Sequence, residues 1–267
     1  MNAAAPTTSR LAARFAAVKA EGRAALVGYL TAFDPTRGAA FDRLCAACEA
    51  GLDVLELGVP FSDPSADGPT IQAAMVRALA AGATLGGVID LAAELRRRFD
   101  VPIVLFSYGN PLLRLGPDKL VERATQAGVD GLLVVDLPPE HNASLREPAR
   151  AAGLDWVGLV APTTTPQRRS IVLGGASGFV YAVSLTGVTG APLDPADVKL
   201  HATLAELRAA TQLPVVVGFG VRSAADVKAL ARSADGVVVG SALVEAGSRS
   251  AADLGTLVAE LRAATVR

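Results

Sequence analysis

The chain has few of the side chains that most enzyme chemistry depends on. Its 267 residues include two histidines, two cysteines and four lysines. His141 and His201 both fall in stretches that read as helical, with no cluster of metal-ligating residues around them, so no metal site is expected. Lys19, Lys119, Lys199 and Lys228 also lie in helical stretches or at their starts. None stands at the end of an apolar run, which argues against a Schiff-base mechanism. Cys45 and Cys48 form a C-x-x-C, but no second Cys/His pair completes a zinc site. With Phe41 and Leu44 they fall at i, i+3, i+4 and i+7, the apolar stripe of a helix, where cysteine packs as a small hydrophobe.

An excess of one charge is also missing. The 25 basic and 26 acidic residues leave a net charge of −1, without a long charge run. That excludes the basic stripe of a nucleic-acid binder and a polybasic membrane contact. No stretch reaches the roughly 18 uninterrupted apolar residues of a spanning helix. The N-terminus, MNAAAPTTSR, lacks the apolar core of a signal peptide. A soluble cytoplasmic protein with a flexible tail over residues 1–9 is expected.

What is present is apolar and periodic. Half of the chain is hydrophobic, enough for a sizeable core. Eight short apolar runs recur: Ala25–Ala32, Asp53–Gly58, Ile103–Tyr108, Gly131–Leu137, Trp156–Ala161, Phe179–Ser184, Pro214–Phe219 and Gly236–Gly240. Amphipathic stretches separate them, such as the stripe Leu254, Leu257, Val258 and Leu261. Runs such as LLVVD and VVVG are apolar on both faces, as in parallel strands covered on each side. Eight such units over 267 residues predict a single-domain α/β fold, a (β/α)₈ barrel. A doubly wound open sheet is the alternative. An extra helix, capped by Ser9 and presenting Leu11, Phe15 and Val18, precedes the first strand.

A barrel places its chemistry at the C-terminal ends of the strands. After the first run, Asp34-Pro35 reads as a helix start. The second run ends in Glu56, which shares a strand face with Val54. A carboxyl held between apolar walls is pushed toward neutral pKa, as a general acid/base requires. The other reading of Glu56 is a structural partner for an arginine. In the loop that follows, Asp63 and Asp67 stand among Pro60, Pro64, Gly68 and Pro69, and spacing alone makes them turn residues. Asp136, at the end of the fourth run, is either catalytic or bonded to its neighbours. The segment SLTGVTG after the sixth run could close over a ligand. Glycines end the seventh and eighth runs, at Gly218-Phe219-Gly220 and Gly240-Ser241. With a helix N-terminus there, they predict a phosphate site, because backbone N–H groups reach an anion where no Cβ intervenes.

Four segments carry a family resemblance: LELGVPFSDPSADGPTIQ (residues 55–72), SLTGVTGA (184–191), GFG (218–220) and GSALV (240–244). In that order they resemble the tryptophan synthase α subunit family, over nearly the whole chain beyond the first nine residues. The resemblance implies retro-aldol cleavage of indole-3-glycerol phosphate to indole and glyceraldehyde 3-phosphate. Glu56 would be the general acid/base and Asp67 would hold the indole N–H. Tyr181 would form the floor of the indole pocket, with Tyr29, Phe106, Leu133 and Phe219 as walls. Thr189 would position Asp67, and Gly190, Gly220, Gly240 and Ser241 would bind the phosphate. Asp63 and Pro60 would face a partner, a PLP-dependent β subunit, in an αββα assembly; this chain would carry no cofactor of its own. Leu185, Tyr29 and Ser65 depart from some members, and bear on loop closure and the partner contact rather than on the reaction. The alternatives are an isomerase on the same kind of phosphate-binding barrel and a non-catalytic activator of the β subunit. A free-standing lyase that releases indole is a third.

Overall fold

The computed structural model describes residues 9–183, 197–218 and 220–267. Helix α1 (Arg10–Ala20) begins as its sequence requires: the Ser9 hydroxyl accepts from Ala12 N at 3.2 Å, and Leu11, Phe15 and Val18 are buried. Among the described residues nine parallel strands follow: β1 (Ala25–Thr31), β2 (Val54–Gly58), β3 (Ile103–Ser107), β4 (Gly131–Val134), β5 (Asp155–Trp156), β6 (Gly158–Val160), β7 (Val180–Val183), β8 (Val215–Gly218) and β9 (Gly236–Val239). Between and after them come α2 (Arg37–Glu49), α3 (Pro69–Ala80), α4 (Leu85–Arg96), α5 (Gly109–Leu115), α6 (Pro117–Gln126), α7 (Ala143–Ala151), α8 (Pro166–Gly175), α9 (Val198–Ala210), α10 (Ala224–Ala231), α11 (Ser241–Arg249) and α12 (Ala251–Ala263).

The nine strands are eight barrel staves. The fifth stave is split at Val157, where it changes the side on which it pairs. Its first half, β5, bonds to β4, and its second half, β6, bonds to β7. In the bonded order β5-β4-β3-β2-β1-β9-β8-β7-β6 these two halves are the ends. They are contiguous in the chain, so covalent continuity brings the ring together. The expected barrel is therefore what forms, rather than the open sheet.

Alternation along the strands sorts the core into two layers. Val27, Tyr29, Val54, Val104, Phe106, Leu133, Phe179, Tyr181, Val216 and Val238 pack together inside the barrel. Their neighbours, such as Leu26, Leu55, Leu57, Leu105, Val217 and Val239, pack with helix residues such as Leu44, Leu91, Leu120, Leu254 and Val258. The three buried residues of α1 belong to the inner layer, so this helix plugs the N-terminal end of the barrel, with Phe15 and Phe179 rings 5.7 Å apart.

A polar repeat fixes that lower rim. Asp53, Asp130, Ser177 and Asp235 precede the second, fourth, sixth and eighth staves. Each side-chain oxygen accepts from a backbone N–H at the start of the preceding stave: Leu26 (2.9 Å), Ile103 (2.7 Å), Trp156 (2.9 Å) and Val215 (3.0 Å). Arginines neutralise the three aspartates. Arg23 grips Asp53, Arg10 and Arg96 grip Asp130, and Arg208 and Arg267 approach Asp235.

Three local expectations change. Thr36, not Asp34, caps α2, through a 3.3 Å bond from Ala39 N. Asp34 is buried instead and pairs with Arg43 and Arg77, which hold its two oxygens. His141 stands in a turn ahead of α7 rather than in a helix. Asp136 is exposed and accepts from Gly109 N at 2.7 Å, so it bonds its neighbours at the start of α5. The fourth stave ends at Val134, before it. The four lysines do lie in helices, and Cys45 and Cys48 are free thiols on α2. No single described helix is long and apolar enough to cross a membrane.

Candidate active site

At the C-terminal end of the barrel lies a cavity of about 530 Å³, its open mouth included. Its base is built from the inward positions of neighbouring strands. Tyr29 of β1 stands in register with Glu56 of β2, which in turn stands in register with Val104 of β3. Phe106 meets Tyr29 edge to face, with ring centroids 5.1 Å apart. Tyr181 of β7 and Val238 of β9 complete the described apolar walls, with Ile71 of α3 above them.

Glu56 is fully buried, and neither carboxylate oxygen has a hydrogen-bond partner among the described residues. Asp53 and Asp130, buried on the lower rim, each have an arginine and a backbone N–H. Among the described residues Glu56 has neither, which removes the structural arginine pair as its explanation. Burial raises its pKa to about 8. At neutral pH it is a protonated acid in an apolar enclosure, with a proton to give.

Asp67 is also buried, but it is held. Tyr108, the residue after β3, donates its hydroxyl proton to Asp67 Oδ2 at 2.7 Å and accepts from Ala66 N at 3.0 Å. Gln72 of α3 donates to the Asp67 carbonyl at 2.8 Å. One tyrosine and one glutamine thus tie the loop segment to the barrel top. Burial lifts the Asp67 pKa to about 6, opposed by the Tyr108 bond. The two carboxyls therefore titrate on opposite sides of neutrality.

Two glycines make room for the two cavity tyrosines. A Cβ on Gly58 would collide with the Tyr29 hydroxyl, and one on Gly218 with the Tyr181 hydroxyl. Gly218 thus has a packing role beside Tyr181. Gly220 has φ +78 and borders the cavity, as do Gly240 and Ser241. Helix α11 begins at Ser241 with Gly240 as its cap, a residue with no side chain to bond the first-turn N–H groups. Such an end is suited to an anion.

The other expected residues are distributed unevenly. Leu133 is fully buried in the inner layer and does not border the cavity. Thr189, Gly190 and Phe219 lie outside the described residues, as does Leu185. Asp63 and Ser65 are exposed on the loop after β2. Pro60, expected to face a partner, is buried instead, because the chain still runs against the third stave there: Val59 N donates to Phe106 O at 2.9 Å. Tyr108, Ile71, Val221, Val238 and Arg222 were not anticipated. Tyr108 had a visible signal, as one of three tyrosines in the chain, all of which stand around this site, Tyr29 within β1, Tyr181 within β7 and Tyr108 just after β3.

A family model described as "Tryptophan synthase alpha chain" matches residues 15–266. The tryptophan synthase alpha chain of Gluconacetobacter diazotrophicus is 52% identical over 237 residues, 88% of this chain and 86% of that one. That of Rhizorhabdus wittichii is 47% identical over 264 residues, 97% of each. Among solved structures, Mycobacterium tuberculosis tryptophan synthase superposes with a TM-score of 0.92 at 37% identity, covering 98% of this chain and 100% of that one. Tryptophan synthase subunit alpha of Legionella pneumophila gives 0.89 at 33%, covering 97% and 99%. Agreement this long, in sequence and in backbone, leaves one assignment: the chain belongs to the tryptophan synthase alpha chain family.

Proposed function

We propose that this chain cleaves indole-3-glycerol phosphate to indole and glyceraldehyde 3-phosphate, with Glu56 as the general acid/base and Asp67 as the indole anchor. The observation that carries the assignment is Glu56: a strand-borne carboxyl with both oxygens buried and without a bond among the described residues, and a pKa of about 8. Protonated, it delivers its proton to indole C3. The indole ring becomes an indolenine cation, and the Asp67 carboxylate, accepting from the ring N–H, stabilises that charge. The Glu56 carboxylate then removes the proton of the side-chain hydroxyl next to C3. That oxygen's electrons form the aldehyde carbonyl, the C–C bond breaks, and its electron pair returns to the ring to give neutral indole. Glu56 ends protonated, ready for the next turnover.

The chemistry needs a neutral Glu56 and an ionised Asp67 together. Their values of about 8 and about 6 provide that state between them. Tyr181, Tyr29 and Phe106 would hold the indole ring, and Gly220, Gly240, Ser241 and Gly190 the phosphate. Leu133 and Phe219 would back the ring, and Thr189 would steady Asp67 once the loop closes. Asp63, exposed on the loop that carries Asp67, supports a β subunit contact in an αββα assembly. PLP would belong to that β subunit, and the pair would work in the cytoplasm on tryptophan biosynthesis.

The deciding assay is indole release from indole-3-glycerol phosphate, with and without a β subunit, for wild type, Glu56→Gln and Asp67→Asn. Wild type with partner releases indole, and both variants lose most of the rate, by about 10²–10⁴-fold. Full rate in Glu56→Gln overturns the assignment.

A further inference from the structure

The described residues that border the cavity include three charged side chains: Glu56, Asp67 and Arg222. Two are acids committed to the indole end. A phosphate monoester brings nearly two further negative charges at neutral pH, and the glycines and Ser241 answer with backbone dipoles. Arg222 is the one cation on this wall among the described residues, two positions after Gly220.

Its anchoring is asymmetric. The Arg222 backbone N–H donates to Asp226 Oδ2 at 3.0 Å, and Asp226 also accepts from Ser223 N at 2.9 Å within the capping box that starts α10. The Cα is therefore fixed. The guanidinium is not: it meets Glu245 of α11 at 3.2 Å, with the two side chains 54% and 50% exposed. A pair this open to water favours the closed geometry by roughly fivefold or less. A phosphate dianion offers a guanidinium two parallel charge-assisted bonds and more charge than one carboxylate. Glu245 and the glycine-capped start of α11 belong to the same helix, and Arg222 borders the same cavity as Gly240 and Ser241, so it rests beside the anion site when the ligand is absent.

We propose that Arg222 is a substrate-binding residue that leaves Glu245 to pair with the phosphate group of the bound substrate. The proposal rests on the substrate assignment given above for the identity of the ligand, and on the cavity wall itself for the role of the arginine. It assigns the cationic contact of the phosphate to a side chain, where the glycine pattern had pointed to backbone alone.

The test compares wild type, Arg222→Ala, Arg222→Lys and Glu245→Gln in the full chain with its β subunit. Arg222→Ala raises KM for indole-3-glycerol phosphate about tenfold, as expected for one charged hydrogen-bonding partner at a wet rim, with kcat changed less than about twofold. Calorimetry with glycerol 3-phosphate, the phosphate-bearing half of the substrate, shows the same loss. Indole binding is unchanged. Arg222→Lys recovers part of the affinity, and Glu245→Gln tightens glycerol 3-phosphate binding by roughly twofold to fivefold. Wild-type affinity for glycerol 3-phosphate in Arg222→Ala overturns the proposal, as does an equal loss of indole binding, which marks a structural role. Should wild type bind glycerol 3-phosphate through Arg222 yet cleave no substrate, the arginine role stands and the reaction assignment fails.

Discussion

Replacing Glu56 with glutamine should abolish turnover and yet stabilise the protein at alkaline pH. Folding raises this carboxyl from an ordinary 4.5 to about 8, through burial alone. An acid with a raised native pKa binds its proton more tightly in the folded state than in the unfolded one. Native stability therefore falls as pH rises from about 4.5 toward about 8, and the full penalty applies above that. At about 1.4 kcal/mol per pKa unit, the loss between pH 5 and pH 8 comes to about 3.5 kcal/mol. Part of that vanishes if water enters the cavity, so the figure is an upper value. Glutamine, close in shape and never charged, lacks the titration. Urea unfolding of wild type and Glu56→Gln at the two pH values isolates the effect, because every other titrating group is common to both. The variant should gain about 2–3.5 kcal/mol relative to wild type over this interval. Parallel stability curves, within about 0.5 kcal/mol, would refute the claim that Glu56 is charged at a desolvation cost.

The same two values shape activity: kcat/KM should fall below pH about 6, as Asp67 takes up a proton, and above pH about 8, as Glu56 loses its own, a bell read from a steady-state pH series. Tyr108→Phe removes the bond that opposes the rise in the Asp67 pKa, so the acid limb should move to higher pH while the alkaline limb stays. Gly218→Ala places a methyl group on the Tyr181 hydroxyl, which should cost roughly 1–3 kcal/mol by thermal unfolding and disturb indole binding. Arg23→Met leaves Asp53 buried without its cation, so unfolding free energy should drop by about 3–5 kcal/mol while kcat of the folded fraction is kept.

Legibility followed the length scale of the signal. The barrel was readable because each stave is an apolar run covered on both sides, and eight of them leave few architectures. Helix α1 was readable from Ser9 and the spacing of Leu11, Phe15 and Val18, all local. Glu56 could be singled out because an acid sharing a strand face with Val54 has nowhere polar to go. Asp67 could not, since Asp beside Pro and Gly reads as a turn wherever it occurs; its burial depends on Tyr108, 41 residues on. The Asp34 misreading has the same origin. Asp-Pro looks like a cap, but Arg77 lies 43 residues away, and no local pattern reveals it. At Gly218 two different needs, an anion and a neighbouring tyrosine, both select glycine, and the tyrosine was not legible locally. The split of the fifth stave is a property of ring closure, which no single run encodes.

The lower rim explains how the upper rim can hold an unpaired acid. Asp53 just precedes the stave that carries Glu56, three residues away, and both are buried. Asp53 sits where α1 and the chain's last residues close the barrel: Arg23 reaches it from two nitrogens and Leu26 N donates to it, so its charge is compensated. Glu56 sits at the opposite end, where the loops leave an opening and no arginine or backbone donor among the described residues bonds it. The first arrangement holds the fold together, and the second leaves a carboxyl poised to exchange its proton with a ligand. The two packed layers of the barrel supply the stability that offsets the second. A cationic partner installed at the top would therefore satisfy Glu56, drop its pKa to that of an ordinary carboxylate, and remove the proton the reaction uses at neutral pH.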